Sequence, residues 1–367
     1  MAILLFARDP GAADIVSKIY DLISEDKILV AKDFAKQIFD KNKIPFLDFN
    51  SEVLDRSVRD KDYQSIKLWL QSISPELVIT GTTHFDDMTD RLIWETANEL
   101  QIPSISVFDQ WLRVEERFQV NSKLYRPDYV LTGNKSIAEK LLSKNLCRQS
   151  ATAIGSPFLQ SVSVEASNFL VRKVEARERI KEFFNKSFEH LIVYVSEPQR
   201  KLTKAGAQFE DVAYDEIEVF EFVSEGLAKS NLKSTLLVVK LHPKEDRDEY
   251  AGRNVNLLQN EIEKNLILAA ADILVGTKSM LLMEAVLYQK HVLSIDLWNL
   301  PDEQLITNQL GLTTKITNHH ELVSEFNGHQ FFSPMKIGEV NEKLSLNTDW
   351  KSLTLEVIKD AKNLYRV

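Results

Sequence analysis

The chain has 367 residues, with 45 Lys and Arg against 54 Asp and Glu, a formal charge of −9. At about 100–200 residues per domain, this length implies about two domains with a substantial buried core. A single Cys excludes an internal disulfide framework and a four-cysteine zinc site, and the acidic balance argues against non-specific nucleic-acid binding, which needs a basic footprint.

Short β-branched runs alternate with longer amphipathic stretches. In the first part the runs are 2–6, 28–31, 77–80, 104–108, 129–132 and 151–154. Helix-like stretches such as 86–100 and 135–143 lie between them. This alternation predicts βαβ units and a mainly parallel sheet, and several runs are apolar enough for strands covered on both faces. No run reaches the roughly 18 apolar residues of a membrane span. The run 2–6 meets Arg8 and Asp9 almost at once, so it is too short for a signal-peptide core and lacks a basic leader. The expectation is a soluble, cytoplasmic protein, with peripheral contact at the inner membrane face left open to a helix face.

A charged stretch with apolar residues at helical spacing covers 171–188, and the alternation then restarts. The second set of runs is 191–195, 235–241, 272–275, 291–295 and 312–316. The segment 201–214 lacks a clean period and is expected to be a long loop of functional use. Gly155-Ser156-Pro157 breaks the pattern between the two sets. The expected organisation is therefore 1–157, 158–348 and a final helix, 349–367. The fold class is α/β, with two Rossmann-like, doubly wound parallel sheets and a cleft between them. Ligands of such sheets bind beyond the carboxyl ends of the strands, so the residues following each run are the ones to inspect.

After the first run come Arg8-Asp9-Pro10-Gly11-Ala12-Ala13-Asp14. Small residues let a ligand approach the backbone at a helix start. A tight turn capped by Asp9 or Asp14 explains the same residues. Gly81-Thr82-Thr83-His84-Phe85-Asp86-Asp87 follow the third run. Asp86 or Asp87 reads as an N-cap, and His84 as a group that titrates near neutral pH. After 104–108 come Asp109-Gln110-Trp111, with Arg113, Arg117 and Phe118 close by. They form either an acceptor-facing patch or a packed surface loop.

In the second set, 235–241 runs straight into His242-Pro243-Lys244. Pro243 ends the strand. His242 and Lys244 are then suited to a phosphate, through a neutral or charged imidazole and an ammonium. Strand 272–275 leads into Gly276-Thr277-Lys278-Ser279, with Ser279 as N-cap of the next helix. That helix start suits a phosphate or diphosphate. Glu284, more than a turn further on, can bridge a ribose diol because a carboxylate only accepts hydrogen bonds. Taken alone, the same segment reads as a well-capped helix with an exposed Glu.

Together these residues resemble those of a GT-B glycosyltransferase. The His242-Pro243 pair and the Ser279 loop resemble the HP and S motifs of bacterial sialyltransferases, polysialyltransferases and capsule Kdo transferases. A similar pair occurs in CDP-glycerol glycerophosphotransferases. Glu284-Ala285 followed by Lys290-His291-Val292-Leu293 is similar to the ribose-binding segment of many GT-B enzymes and of non-hydrolysing UDP-sugar 2-epimerases. The loop at Asp9, however, departs from the epimerases' Arg-Pro-Glu pattern.

The resemblance implies a glycosyltransferase acting on a bacterial surface glycan or glycolipid, with the last helix returning to the first domain. The second domain would hold a CMP- or UDP-type nucleotide sugar through His242, Lys244, Gly276, Thr277, Lys278, Ser279 and Glu284. The first would bind the acceptor near Gly11, Asp86, Asp109 and Trp111, with Asp9 or His84 as base. Asp60-Lys61-Asp62 and Asp246-Arg247-Asp248 read as solvated surface. The expectation is a metal-independent enzyme with no cofactor and no nucleic-acid partner. A nucleotide-sugar 2-epimerase or hydrolase of the same architecture and a non-catalytic nucleotide or sugar binder are the alternatives.

Overall fold

The computed structural model describes residues 2–53, 63–83, 87–111, 114–200, 214–298 and 305–365. The chain divides into two compact units, one formed by Met1–Phe158 with Leu344–Val367, the other by Leu159–Lys343.

The first unit contains β1 (Ile3–Ala7), β2 (Lys27–Ala31), β3 (Leu47–Asp48), β4 (Leu77–Thr80), β5 (Ser104–Phe108), the small hairpin β6 (Gln119–Val120) and β7 (Lys123–Leu124), then β8 (Tyr129–Thr132) and β9 (Ser150–Ala153). Its parallel sheet runs β3-β2-β1-β4-β5-β8-β9. Strands β1, β4, β5 and β8 are buried along their whole length, as parallel strands covered on both faces require.

The helix Trp350–Asn363 belongs to this unit. Val357, Ile358 and Ala361 enter the same core as Ile3, Val16 and Ile105. Burying a side chain such as Ile358 stabilises by about 1.5–3 kcal/mol. Lys362 fixes the helix further, with Nζ 2.9 Å from carboxylate oxygens of both Glu25 and Glu76. Gly155 has φ +76, and a Cβ there would meet the Ser345 carbonyl oxygen at 2.6 Å. The strands leaving and re-entering this unit thus cross where only glycine fits.

The second unit contains β10 (His190–Val195), β11 (Thr235–Lys240), β12 (Asn256–Leu258), β13 (Ile273–Gly276), β14 (His291–Ile295) and β15 (Thr314–Ile316). They form a parallel sheet in the order β12-β11-β10-β13-β14-β15. In both sheets the chain winds outward from the first strand, then returns to wind the other way. The reversal falls between β1 and β4 in one unit and between β10 and β13 in the other, and such a switch point opens a crevice at the carboxyl ends.

The expected helical stretch 171–188 is shorter. It spans Lys173–Phe184 and ends where Asn185 turns left-handed, φ 50. A separate helix, Pro157–Leu170, precedes it, since proline is well tolerated at a helix start. Strands β3 and β12 have two and three residues, too short to show a period in the sequence. The expected loop 201–214 lies outside the described residues except for Tyr214.

At the amino end of β14, His291 is buried between protein groups. Its Nε2 lies 2.9 Å from Glu325 Oε2 and its Nδ1 lies 3.2 Å from His329 Nδ1. The Phe332 ring stacks on it at 4.4 Å. Burial pushes its pKa down to about 4, so the fold holds it neutral. An unfolded His titrates near about 6.5. Its contribution to stability is therefore complete above about pH 6.5 and declines as the pH falls toward 4. Urea unfolding at about pH 7 and about pH 4.5 should show a smaller acid loss for His291→Gln than for the wild type. Equal losses would contradict this reading.

Candidate functional site

The second unit's switch point is built around two consecutive residues. β10 ends at Val195, and Ser196 and Glu197 follow. Ser196 donates its hydroxyl to Glu245 Oε1 and meets Tyr250 OH at 2.8 Å. Glu245 Oε2 accepts the His242 backbone N–H at 2.6 Å. Glu197 turns to the other loop. Its Oε2 accepts the Tyr214 hydroxyl at 2.8 Å, the Lys278 N–H at 3.2 Å and the Thr277 hydroxyl. Tyr214 in turn stacks on Trp298, with ring centroids 5.3 Å apart.

Gly276 closes β13 where a Cβ would press on the Val195 carbonyl oxygen at 3.0 Å. Ser279 is the N-cap of the helix Met280–Leu287, its hydroxyl accepting the Leu281 N–H at 3.3 Å. The structure thus brings His242, Lys244, Gly276, Thr277, Lys278 and Ser279 to the carboxyl edge of one sheet. The Thr277 hydroxyl and the Lys278 amide, however, are engaged by Glu197. Lys278 Nζ lies 5.7 Å from the Tyr214 ring centroid.

The protonation state of His242 follows from its hydrogen bond. Nδ1 accepts the Lys244 backbone N–H at 3.1 Å. An acceptor at Nδ1 leaves the proton of a neutral ring on Nε2, which is then a donor. Burial first, and the Lys244 charge next, push the His242 pKa below its usual range. Of the two states open in the sequence, the neutral imidazole is the one this environment favours.

Glu284 is buried, at 4% exposed, and its Oε2 lies 2.6 Å from Lys264 Nζ. The exposed-surface reading of Glu284 is thereby corrected. The helix is buried all round from Leu282 to Leu287, so no face of it carries this carboxylate into water. Beneath the His242 loop, Glu216, Glu245 and Glu249 bring carboxylate oxygens within 4.8 Å of one another. Burial, with Glu216 and Glu249 adding to it, pushes Glu245 up to about 7, so a proton shared in this group suffices to relieve the repulsion. Asp246 and Asp248 are exposed, as read from the sequence, while Asp60-Lys61-Asp62 lie outside the described residues.

The first unit's switch point gathers charge. Asp9 occupies the N-cap position of the helix Pro10–Leu22, without a side-chain cap hydrogen bond among the described residues. Its Oδ1 lies 3.2 Å from Arg8 Nη1 and its Oδ2 3.8 Å from Arg117 Nη1. Arg8 also pairs with Asp33 at 2.9 Å, and buried Lys32 pairs with Asp87. Asp109 follows β5, and its Oδ2 stands 2.0 Å from where a Cβ on Gly11 would be. Gly11 is thus the space the Asp109 carboxylate occupies. Asp109 Oδ1 is out of water, with no hydrogen-bond partner among the described residues. Burial pushes its pKa up to about 6, opposed by Arg117 and reinforced by Asp9.

A small cavity is lined by Asp109, Gln110, Trp111, Thr132, Gly155 and Ser156. Thr132 Oγ1 is also buried without a partner among the described residues. Trp111 packs on the core of Trp94, Phe108 and Phe118, as the packed-loop alternative expects, and also lines the cavity. His84 and Asp86 lie outside the described residues.

The loop after β4 is held by a fully buried pair. Asp90 accepts the Thr83 hydroxyl at 2.7 Å and the Arg91 N–H at 2.8 Å. Arg91 donates to the carbonyls of Asp87 at 2.6 Å and Glu116 at 3.2 Å.

Sequence reasoning missed Ser196, Glu197, Tyr214 and Glu245. The first two were within reach of the strand-end rule, because they directly follow β10. Glu245 and Tyr214 are identified only by their partners.

No family model and no curated protein matches the chain. Solved structures do. UDP-GlcNAc 2-epimerase from Neisseria meningitidis bound to UDP-GlcNAc superposes with a TM-score of 0.67 at 11% identity, covering 98% of this chain and 100% of that one. A glycosyltransferase from Rickettsia africae gives 0.64 at 12%, covering 98% of each chain. The S. aureus MnaA–UDP co-structure gives 0.63 at 14%, covering 100% and 98%.

The chain has the GT-B fold. At these identities the likeness is one of fold, shared by epimerases and glycosyltransferases alike. Among the described residues no helix is long and apolar enough to cross a membrane.

Arg91→Ala should lower the unfolding free energy by about 3–5 kcal/mol, since it leaves the buried Asp90 carboxylate without its partner. Urea unfolding measures this, and a loss below about 1 kcal/mol, the size of a surface pair, would contradict it.

Proposed function

We propose that the protein is a glycosyltransferase that moves a sugar from a nucleotide-activated donor to a glycan or glycolipid hydroxyl, without requiring a metal. The observation that carries this reading is the convergence of the His242 loop and the Gly276–Ser279 turn on Ser196 and Glu197 at one switch point. Two loops with donors suited to phosphate meet there, at the position where α/β sheets bind nucleotides.

In this reading His242 Nε2–H, the ammonium groups of Lys244 and Lys278, and the start of the Met280–Leu287 helix face the donor's phosphate. Negative charge builds on that phosphate as the glycosidic bond breaks. Fixed donors stabilise it most in the transition state. Glu284 serves the ribose diol, in exchange for part of its contact with Lys264. Because Glu197 already engages the Thr277 hydroxyl, Thr277 acts through the loop's shape and not by direct contact.

For the base we favour Asp109 over Asp9 and His84. Asp9 is engaged by two guanidinium groups, Arg8 at 3.2 Å and Arg117 at 3.8 Å, which occupy both its oxygens. Asp109 has an oxygen unpartnered among the described residues beside a cavity, and its pKa of about 6 suits proton abstraction at neutral pH. It would take the proton of the acceptor hydroxyl while Gln110, Trp111 and Thr132 contact the acceptor. Peripheral contact with a membrane belongs to this reading through a lipid-linked acceptor.

One observation favours 2-epimerisation as a second reading. The charge of Asp9 helps to raise the pKa of Asp109, and a carboxylate pair can serve as acid and base.

A thermal-shift panel of CMP, CDP, UDP and GDP should raise the melting temperature with at least one nucleotide. No shift with any of them would reject both enzyme readings. Product analysis with a nucleotide sugar, with and without acceptors, separates transfer from epimerisation. His242→Ala and Ser279→Ala should abolish turnover, with stability lowered by no more than about 1 kcal/mol for the lost cap. Asp109→Asn should lower kcat by about 10²–10⁴. Full activity in both loop variants would reject the site.

A further inference from the structure

We propose that Glu245 is the positioning residue of the His242 loop and that it carries a proton whenever this loop holds a phosphoryl group, so that binding of a phosphorylated ligand draws a proton onto this carboxylate. The inference rests on the nucleotide reading and adds to it a regulation of the same site by pH.

The geometry is specific. Glu245 is buried, at 2% exposed. Its Oε2 accepts the His242 N–H at 2.6 Å, and its Oε1 meets the Ser196 hydroxyl, which meets Tyr250 OH at 2.8 Å. Its backbone is fixed as well, because its N–H donates to the His242 carbonyl at 3.0 Å and its own carbonyl accepts Gln259 Nε2 at 3.0 Å. The orientation of His242 therefore depends directly on this side chain.

The same contacts tolerate both protonation states. As a carboxylate, Glu245 accepts from His242 N–H and from Ser196. As a neutral acid it keeps Oε2 as the acceptor and donates from Oε1 to Ser196 Oγ, which redirects its own hydrogen to Tyr250. No heavy atom moves. What changes is the charge beneath the loop.

The groups facing Glu245 make that change relevant. Glu216 and Glu249 contribute carboxylates in the same cluster, and Tyr250 adds a buried phenol. On the other side are Lys240, whose Nζ donates to the Leu241 carbonyl at 2.9 Å, and the imidazole of His242 with Lys244. A phosphoryl group at His242 adds negative charge to a site that already holds three carboxylates. Neutralising the one that touches the loop is the change that requires no rearrangement. With a pKa of about 7 in the free protein, that proton is readily gained from water.

The test is calorimetric titration of UDP into the full chain at about pH 7 in buffers of different ionisation enthalpy. The wild type should take up protons on binding. Glu245→Gln copies the neutral acid, with an amide N–H for Ser196 and a carbonyl for His242. It should bind UDP at least as tightly as the wild type and without uptake. Glu245→Ala should bind about tenfold more weakly, through loss of the His242 contact. Ser196→Ala removes the acceptor of the acid's proton and should reduce the uptake.

UDP binding to the wild type without proton uptake overturns this inference and leaves the nucleotide reading standing. Uptake that persists in Glu245→Gln and vanishes in His242→Gln assigns the proton to His242 and also overturns it. A wild type that binds none of CMP, CDP, UDP and GDP rejects the nucleotide reading, and the inference with it.

Discussion

Ser196 and Glu197 leave the end of β10 toward opposite neighbours, and each secures one loop. Successive residues of a strand point to opposite sides. At a switch point those sides face two different loops, one after β11 and one after β13. Ser196 reaches Glu245 and through it His242, while Glu197 reaches Thr277 and Lys278. Without this pair the two loops would lose the anchor they share.

The two switch points solve the same problem with different chemistry. In the second unit the anchors are hydrogen bonds to the buried Glu245 and the half-buried Glu197, with Lys244 exposed and Lys278 half-buried. In the first unit ion pairs dominate. Arg8, Asp9, Asp33, Lys32, Asp87 and Arg117 neutralise one another, and the Asp90–Arg91 pair clamps the loop from within. Among the described residues this leaves Asp109 as a carboxyl with an unpaired oxygen, its pKa raised by burial to about 6.

Much of this was legible in the sequence because parallel strands announce themselves. The apolar runs at 2–6, 77–80, 104–108 and 272–275 predicted buried strands, and the strand-end rule pointed to His242, Ser279 and Asp109. What escaped depended on contacts across large separations in the chain. Glu245 is a charged residue in a charged stretch until Ser196 and His242 are seen to bind it. Glu197 carries no signal of its own until its contacts with Thr277 and Tyr214 are seen. The environment of Glu284 was hidden for the same reason, since Lys264 lies twenty residues away. Short edge strands such as β3 and β12 are silent because two or three residues cannot display a period.

The central claim is that the loops at His242 and at Thr277–Ser279 form one ligand site anchored by Ser196 and Glu197. Hydrogen–deuterium exchange on the full chain, with and without saturating nucleotide, tests it most directly. The account predicts that one nucleotide slows exchange together in the segments 242–246 and 276–284. Protection confined to either segment alone, or found only elsewhere in the chain, would contradict it.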